Sequence, residues 1–201
     1  MRKIICGLDE AGRGALAGPL AASAVILPYR YKHISRQVNV PLRDSKLLNS
    51  RQREKLYRTL KKSKAVIFTE FISVRRINNH GIGWANKEIF RQLIKKIEAD
   101  QYIIDGRLKI GRIKDKSAKI RSVVNADATL PPVIFAGIVA KVERDKLMKT
   151  LHRQFRRYGW KINKGYGTKK HLLALQKYGM VYLHRSIFVT TALQKIYRTT
   201  T

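Results

Sequence analysis

Two apolar runs near the N-terminus, joined by a glycine-rich segment, constrain the fold more than any other part of the sequence. Residues 2–8 and 20–27 are mostly apolar, and glycine occurs three times between them. Short apolar runs bounded by glycine and proline are typical of strands joined by a turn. The segment therefore predicts an antiparallel β-hairpin, and two adjacent acids, Asp9 and Glu10, directly follow its first strand.

Downstream segments alternate between helical and strand patterns. Asn49 followed by Gln52 is a helix-capping pattern ahead of leucines at helical spacing, which predicts a helix beginning there. Apolar residues from Ile82 to Ile97 fall on one face of a helix of about four turns. The remaining predictions are a loop at 29–44, strands at 65–74, 102–104 and 119–124, and helices from Pro131 toward Phe155 and from Thr168 to Tyr178.

This order of elements predicts an α/β chain. Strands come first and helices are then interleaved with strands, which favours a mixed sheet covered by helices. The 201 residues suit one domain. From about residue 150 the predicted elements are helical and basic, so we expect one catalytic domain spanning 1–201 with a helical C-terminal extension.

The net charge restricts the class of partner. The sequence has 43 Lys and Arg residues against 13 Asp and Glu residues, a formal charge of +30. Such an excess favours nucleic acid, because neutralised phosphates release counterions. A membrane surface is the rival partner, but no long basic amphipathic helix with aromatic residues on one face occurs. Charge alone does not separate these partners from a ribosome-like structural role, or from an organism whose proteins are simply basic.

Cysteine content and hydropathy predict the compartment. Cys6 is the only cysteine, so a disulfide within the chain is impossible, as suits a reducing cytosol. No apolar run approaches the ~20 residues that a membrane span needs. The N-terminal segment also lacks the pattern of a signal peptide. We therefore expect a cytoplasmic protein that does not enter a membrane.

Four of the 13 acids occupy positions unlike those of the others. Asp9 and Glu10 end the first predicted strand, Asp105 ends a later one, and Asp127 follows another. Carboxylates gathered at strand ends would repel one another unless a cation lay among them. Mg²⁺ and Mn²⁺ prefer such oxygen ligands, and two ions ~4 Å apart can activate water and stabilise the leaving oxygen of a phosphodiester.

Spacing alone does not require these four acids to form a metal site. Asp105-Gly106 is also a common turn sequence, and spacing does not prove that the four acids meet. Zinc is poorly supported, because one cysteine and five scattered histidines give no pair at ligand spacing. Neither a nucleophilic serine motif nor a phosphate-binding loop motif occurs.

Sequence motifs across nearly the whole chain resemble those of the bacterial ribonuclease HII family. Residues 7–19 (GLDEAGRGALAGP) resemble the N-terminal motif of that family, and residues 164–171 (KGYGTKKH) resemble part of its C-terminal region. Further matching segments are DSK at 44–46, REKL at 53–56, IDG at 104–106, Asp127 with IVAKVERD at 138–145, and HR at 184–185. The Gly-Arg-Gly turn favours type HII over the sister type HIII, which usually lacks it.

The resemblance implies a ribonuclease H-like fold and endonucleolytic hydrolysis of RNA in RNA–DNA hybrids, including ribonucleotides embedded in duplex DNA. It implies that Asp9, Glu10, Asp105 and Asp127 are the catalytic, metal-binding carboxylates, with two Mn²⁺ or Mg²⁺ ions per site. Cleavage would leave 5′-phosphate and 3′-hydroxyl ends. The partners would be RNA–DNA hybrid or duplex DNA containing ribonucleotides, and the protein would act as a monomer.

The resemblance also implies a set of substrate-binding residues. Gly12, Arg13 and Gly14 would line the ribonucleotide, because glycine lets main-chain N–H and C=O groups approach a 2′-hydroxyl closely. Tyr166 would pack on the sugar at the RNA–DNA junction. Lys46 would contact a phosphate.

Three segments depart from the usual family pattern. Gly137 stands where the family generally has serine, and Arg107 stands where asparagine is frequent. The triplet SIF at 186–188 replaces the more usual basic residue, serine and phenylalanine. None of these positions is one of the four acids, so we expect activity to be retained and substrate preference to be affected.

Two rival functions are consistent with part of the sequence. A non-catalytic basic nucleic-acid-binding protein explains the charge of +30 but not the acids at strand ends. Another ribonuclease H-like nuclease, such as a DNA junction resolvase, would share the acids. Cleavage of a duplex that carries one ribonucleotide separates these functions.

Overall fold

The computed structural model describes residues 3–39, 48–111, 113 and 118–199, and these residues contain a five-stranded sheet. Its strands are β1 (Ile5–Ala11), β2 (Leu20–Ile26), β3 (Val66–Ile72), β4 (Gln101–Asp105) and β5 (Lys119–Val123). Their order across the sheet is β3-β2-β1-β4-β5. Strand β1 is antiparallel to β2 and parallel to β4, and β4 is parallel to β5. The predictions of a mixed sheet and of an N-terminal hairpin are therefore confirmed.

Helices alternate with the strands along the chain and then follow them. They are α1 (Lys32–Val38), α2 (Ser50–Lys62), α3 (Val74–Lys96), α4 (Ala126–Thr129), α5 (Pro131–Gln154), α6 (Trp160–Asn163), α7 (Lys169–Tyr178) and α8 (Ser186–Thr199), with a 3₁₀ turn at Arg156–Tyr158. The predicted helical C-terminal region is confirmed. Among the residues described, no helix is both long enough and apolar enough to cross a membrane.

Most of the described part of the predicted loop at 29–44 is in fact helical. Helix α1 occupies Lys32–Val38, and residues 40–44 lie outside the described residues. Ile34 is buried in α1 and belongs to the same apolar cluster as Leu56. Because the rest of the segment is polar and basic, one apolar anchor gives too little periodicity to predict a helix.

Two further helices differ from the prediction. Helix α3 begins at Val74, earlier than the apolar spacing suggested, and Gly81 interrupts it with φ 80° and ψ 161°. Helix α8 was not predicted individually, although Val189, Ala192 and Leu193 give it an apolar face. These three residues follow the i, i+3, i+4 spacing of an amphipathic helix.

The chain divides into two compact units, each with its own apolar core. The first unit comprises Met1–Ala11, Ala21–Glu70 and Lys87–Val142, and the second comprises Gly12–Leu20, Phe71–Asn86 and Glu143–Thr201. Core residues of the first unit include Leu56, Leu60, Phe135, Ile138 and Val139. Those of the second include Met148, Tyr158, Trp160, Leu175 and Val189. The assignment of 1–201 to a single domain stays a prediction.

In the first unit, helix α5 approaches strand β1 closely at Gly7. A β-carbon at this position would lie 2.2 Å from the carbonyl carbon of Pro132. Glycine is therefore required for the first turn of α5 to pack on the strand. Farther along the same helix, Gly137 lies beside Asp9 of β1.

Candidate active site

Asp9 and Glu10 lie within strand β1, which continues to Ala11, and not after its end. Their side chains point to opposite faces because side chains alternate along a strand. Asp9 is only 9% exposed, and Glu10 is half-buried. The main-chain N–H of Glu10 donates a 2.7 Å hydrogen bond to Asp9 Oδ1. This bond fixes the Asp9 carboxylate near the end of the strand.

Strand β4 brings Asp105 to the same edge of the sheet. Leu8 pairs with Ile104 in parallel register, and Asp9 and Asp105 are the next residues of the two strands. Parallel strands end at the same edge, so the parallel pairing of β1 with β4 places these two acids together.

Asp127 belongs to the short helix α4 and does not directly follow β5, which ends at Val123. Asn125, with a left-handed φ of 58°, precedes the helix. The main-chain N–H of Asp127 donates a 3.2 Å hydrogen bond to Asp105 Oδ1, and Asp127 is 3% exposed. Asp105 and Asp127 are therefore joined directly.

The electrostatic environment of Asp9 links all four acids. The pKa of Asp9 is raised well above its ordinary value, first by burial and then by the negative charges of Glu10, Asp105 and Asp127. The structure therefore brings the four predicted carboxylates close enough to interact. A divalent cation would relieve both the burial penalty and the repulsion.

The type of ligand also fits a hard divalent ion. All four side chains present carboxylate oxygens, which Mg²⁺ and Mn²⁺ prefer. Within the described ranges, no three Asp, Glu, His or Cys side chains already converge on one metal position. The fit of a metal to these residues therefore rests on their ligand chemistry and mutual repulsion.

Gly137 leaves room for the carboxylate of Asp9. A β-carbon at position 137 would lie 2.3 Å from Asp9 Oδ2. We expect Gly137→Ala to displace this carboxylate and to lower kcat for cleavage roughly tenfold to a hundredfold, since a misplacement of ~1 Å can cost ~10²-fold. Steady-state cleavage of a duplex carrying one ribonucleotide measures the effect.

Gly83→Ala is the matched control for this substitution. Gly83 lies in helix α3, and nothing lies within 4 Å of a β-carbon placed there. The control should keep wild-type kcat. A wild-type kcat for Gly137→Ala would show that the position of the Asp9 carboxylate is not critical.

The Gly-Arg-Gly turn lies in the second unit. Gly12 is buried and has a φ of 88°, in the left-handed region that favours glycine. Arg13 and Gly14 are exposed. The turn therefore presents its last two residues to solvent, where a nucleotide could reach them.

Tyr166 belongs to the same unit as this turn. The carbonyl oxygen of Gly165 accepts hydrogen bonds from the main-chain N–H groups of Leu16, at 2.8 Å, and Ala17, at 3.1 Å. These bonds tie the tyrosine segment to the residues that follow Gly14. Four of the five predicted substrate-binding residues are therefore in one unit.

Lys46, Arg107 and Ile187 are further positions that the sequence singled out. Lys46, the fifth predicted substrate-binding residue, lies outside the described residues. Arg107 is exposed in the loop after β4, and Ile187 is 66% exposed on α8. Gly137, the third departure, lies beside Asp9, a predicted catalytic residue.

A buried histidine network ends at Tyr166 and was not predicted from the sequence. The Val181 N–H donates to His184 Nδ1 at 2.9 Å, and His184 Nε2 lies 3.2 Å from His171 Nε2. Trp160 Nε1–H donates to His171 Nε2 at 3.1 Å, and His171 Nδ1 lies 2.9 Å from the Tyr166 carbonyl oxygen. These partners assign the protons to His184 Nε2 and His171 Nδ1.

The contribution of this histidine network to the free energy of unfolding should fall as the pH is lowered from about 7.5 to about 5. Burial lowers the pKa of His171 and lowers that of His184 to about 4. Since unfolded histidine has a pKa of ~6.5, the unfolded state binds protons that the folded network excludes, and stability is lost as pH falls below ~6.5. Urea midpoints across this pH range measure the loss.

The variant His184→Gln serves as the control for this pH dependence. It should be less stable than wild type at about pH 7.5, because its network is broken, and its midpoint should change less with pH. The same change of midpoint with pH in the wild type and in His184→Gln would contradict the assignment of neutral buried histidines.

Sequence comparisons with known proteins agree on one family. The sequence model of the family described as Ribonuclease HII matches residues 6–191. A protein named Ribonuclease HII from Clostridium botulinum is 32% identical over 192 residues, covering 94% of this chain and 69% of that protein. Its namesake from Pelagibacter ubique is 37% identical over 190 residues, covering 92% of this chain and 96% of that protein. The crystal structure of ribonuclease H2 from Pyrococcus horikoshii has a TM-score of 0.77 at 22% identity, covers 97% of this chain and 99% of its own, and shows the same fold.

Proposed function

We propose, on the premise that this chain belongs to the ribonuclease HII family, that it cuts duplex DNA at embedded ribonucleotides by two-metal-ion hydrolysis. As a family member the chain is a ribonuclease H, a metal-dependent phosphodiester hydrolase that acts endonucleolytically on the RNA strand of RNA–DNA hybrids. The proposal adds the single embedded ribonucleotide, the number of ions, the 5′-phosphate and 3′-hydroxyl ends, and the residues in each role.

The four carboxylates Asp9, Glu10, Asp105 and Asp127 would hold two Mn²⁺ or Mg²⁺ ions. Two such ions, when bound, supply an activated water and stabilise the leaving oxygen. The protein holds the acids in place through its main chain: the N–H of Glu10 binds Asp9, and the N–H of Asp127 binds Asp105. Burial of Asp9 and Asp127 places their carboxylates in a low-dielectric environment, which would strengthen their attraction to a cation.

The Gly12–Arg13–Gly14 turn would recognise the ribose. Arg13 and Gly14 are exposed, and main-chain groups of this turn would hydrogen-bond the 2′-hydroxyl, which distinguishes RNA from DNA. Tyr166 would pack on the sugar at the RNA–DNA junction. Only Ala11 separates Glu10 from Gly12 in the sequence, so adjacent segments would carry reaction and recognition.

The net charge supports a polyanionic substrate. The formal charge of +30 favours binding to phosphates of any sequence, and Lys46 would contribute one phosphate contact. The proposed partners are RNA–DNA hybrid and duplex DNA containing ribonucleotides, bound by a monomer. Affinity should therefore fall steeply as salt is raised.

One observation carries the catalytic part of the proposal. Buried Asp9 lies among three other acids in a chain whose cationic residues outnumber its acids by 43 to 13. A protein that only bound nucleic acid would gain nothing from gathering negative charge in this way, because the cluster repels phosphates unless a cation is bound. The acids therefore favour metal-dependent cleavage over binding alone.

Three duplexes test the proposal. The protein is incubated with Mn²⁺ or Mg²⁺ and either DNA carrying one ribonucleotide, an RNA–DNA hybrid, or DNA alone, with a chelator as control. We expect cleavage of the first two duplexes, 5′-phosphate and 3′-hydroxyl ends, and no cleavage after chelation. Binding without cleavage would favour the non-catalytic rival. Equal cleavage of the all-DNA duplex, or preference for a four-way DNA junction, would favour a different nuclease.

A further inference from the structure

Two fully buried arginines in the second unit have no role in the chemistry proposed above. Arg144, in helix α5, and Arg185, directly before helix α8, are each 0% exposed. Arginine is rarely buried in full, because its charge loses water and its five donors need partners. The partners of these two side chains therefore indicate what they hold in place.

Arg185 binds the Gly-Arg-Gly turn from within the unit. Its Nη1 donates a 2.9 Å hydrogen bond to the carbonyl oxygen of Arg13. Its Nε and Nη2 donate to the carbonyl oxygen of Gly18 at 3.0 and 2.9 Å. One planar guanidinium group thus fixes two separate carbonyl groups of the segment 12–19.

Arg144 binds the same segment and joins it to the tyrosine. Its Nη2 donates to the carbonyl oxygen of Ala17 at 3.0 Å, and its Nε donates to that of Pro19 at 2.9 Å. Its Nη1 donates to the carbonyl oxygen of Lys164 at 2.9 Å. The guanidinium carbon lies 5.4 Å from the ring centre of Tyr166.

The main chain of Gly12 also packs against Arg144. A β-carbon at Gly12 would lie 1.9 Å from Arg144 Nε. The first glycine of the turn is therefore required both by its φ of 88° and by the arginine beside it. The two arginines together contact the beginning and the end of the segment.

The six hydrogen bonds described above all end on main-chain carbonyl groups, which satisfy donors without neutralising charge. Asp145 and Tyr166 also act electrostatically on Arg144, and burial lowers the pKa of Arg144. Burial and the neighbouring Arg144 lower the pKa of Arg185 to about 9, so Arg185 is still charged at neutral pH. Positive charge therefore persists beneath a turn that would receive a phosphodiester.

We propose that Arg185 and Arg144 are positioning residues that set selectivity for a single ribonucleotide. They hold the carbonyl groups of the segment 12–19, together with the Tyr166 segment, in the arrangement that receives the ribose and its phosphate. This inference rests on the proposed function, in which the turn and Tyr166 contact the ribonucleotide. The two arginine side chains need not touch the substrate. They would hold in place the main-chain groups and the tyrosine that touch it.

The variant Arg185→Lys tests this inference, because lysine keeps the charge but lacks the planar fork that joins two carbonyl groups. kcat and KM are measured on DNA carrying one ribonucleotide and on a long RNA–DNA hybrid. We expect kcat/KM to fall at least about tenfold more on the single ribonucleotide, mainly through kcat, since small misplacements carry large rate penalties. A long RNA–DNA hybrid offers many riboses. We therefore expect a displaced turn to lower kcat/KM less on the hybrid than on the single ribonucleotide.

Arg153→Lys, on an exposed position of helix α5, is the matched control and should leave both substrates unaffected. An unchanged ratio of the two kcat/KM values for Arg185→Lys would overturn the inference. An equal loss on both substrates would also overturn it, because that is the result of a purely structural role.

Arg144→Lys provides an independent test if Arg185→Lys does not fold. The same shift in the ratio is expected, since Arg144 holds Ala17, Pro19 and the Tyr166 segment. If neither variant folds, the pair is structural and the inference fails. Failure of the proposed function is recognised separately, because the wild type would then not cut the single-ribonucleotide duplex at all.

Discussion

The variant Asp9→Asn should lose cleavage activity by about a thousandfold or more while binding its duplex with near wild-type affinity. Asparagine has almost the same shape but removes the buried negative charge that would hold a divalent ion. Loss of ~4 kcal/mol of metal-dependent stabilisation corresponds to ~10³-fold in rate. Single-turnover cleavage and a separate binding titration of the same duplex measure the two quantities.

Stability provides a second measurement on this variant. The charge of Asp9 is disfavoured by burial and by three neighbouring acids, so its removal should leave the metal-free protein as stable as wild type or more stable. Glu54→Gln is the control, because Glu54 lies in α2 and pairs there with Arg58 at 3.1 Å. Normal cleavage by Asp9→Asn would remove Asp9 from the catalytic site.

Gly12→Ala should reduce both activity and stability, with a loss of at least about tenfold in cleavage at a single ribonucleotide. Its β-carbon would lie 1.9 Å from Arg144 Nε, and its φ of 88° is strained for alanine. Left-handed strain costs ~1–3 kcal/mol, and displacement of the arginine would also move the turn. Thermal unfolding and cleavage kinetics measure the two effects.

Gly83→Ala is again the matched control, since a β-carbon there meets nothing within 4 Å. It should be as stable as wild type or slightly more stable, because alanine is favoured over glycine in a helix. If Gly12→Ala kept both its stability and its cleavage rate, the turn would not depend on the contact between Gly12 and Arg144.

Elements with strong local sequence features were predicted correctly. Asn49 and Gln52 form a reciprocal capping box at the start of α2, as their spacing predicts. Thr168 accepts a hydrogen bond from the His171 N–H at the start of α7, and Gly179 ends that helix. At each of these helix starts a side chain accepts a hydrogen bond from a main-chain N–H three residues later. The position of the helix start can therefore be predicted from sequence spacing alone.

Elements that depend on distant contacts were predicted less well. Helix α1 contributes Ile34 as an anchor in the apolar cluster, so its helical state reflects tertiary packing more than periodicity. The break at Gly81 likewise follows from a positive φ that the apolar spacing from Ile82 onward does not show. Local patterns do not contain these contacts.

The candidate site combines both kinds of information. The sequence identified Asp9, Glu10, Asp105 and Asp127 as unusual, and their catalytic role is still a prediction. Their proximity follows from the parallel pairing of β1 with β4, which is not encoded in the spacing of the acids. A hydrogen bond from the Asp127 N–H to Asp105 then completes the cluster.

The burial of Arg144 and Arg185 could not be predicted from the sequence. In a chain with 43 Lys and Arg residues, nothing local distinguishes Arg144 or Arg185 from surface cations. Both side chains are buried because the second unit folds around them, and the sequence does not show this packing. Their hydrogen-bond partners are main-chain carbonyl groups, which every residue carries. No type of partner residue in the sequence therefore indicates that these two arginines are buried.

Mn²⁺ binding in the absence of nucleic acid, followed by electron paramagnetic resonance, tests most directly whether the four carboxylates hold metal. Wild type and Glu54→Gln should bind Mn²⁺ with the same affinity, and Asp9→Asn should bind it at least about tenfold more weakly, because one anionic ligand is lost. Equal Mn²⁺ affinity of Asp9→Asn and wild type would contradict the assignment of these carboxylates as the metal site.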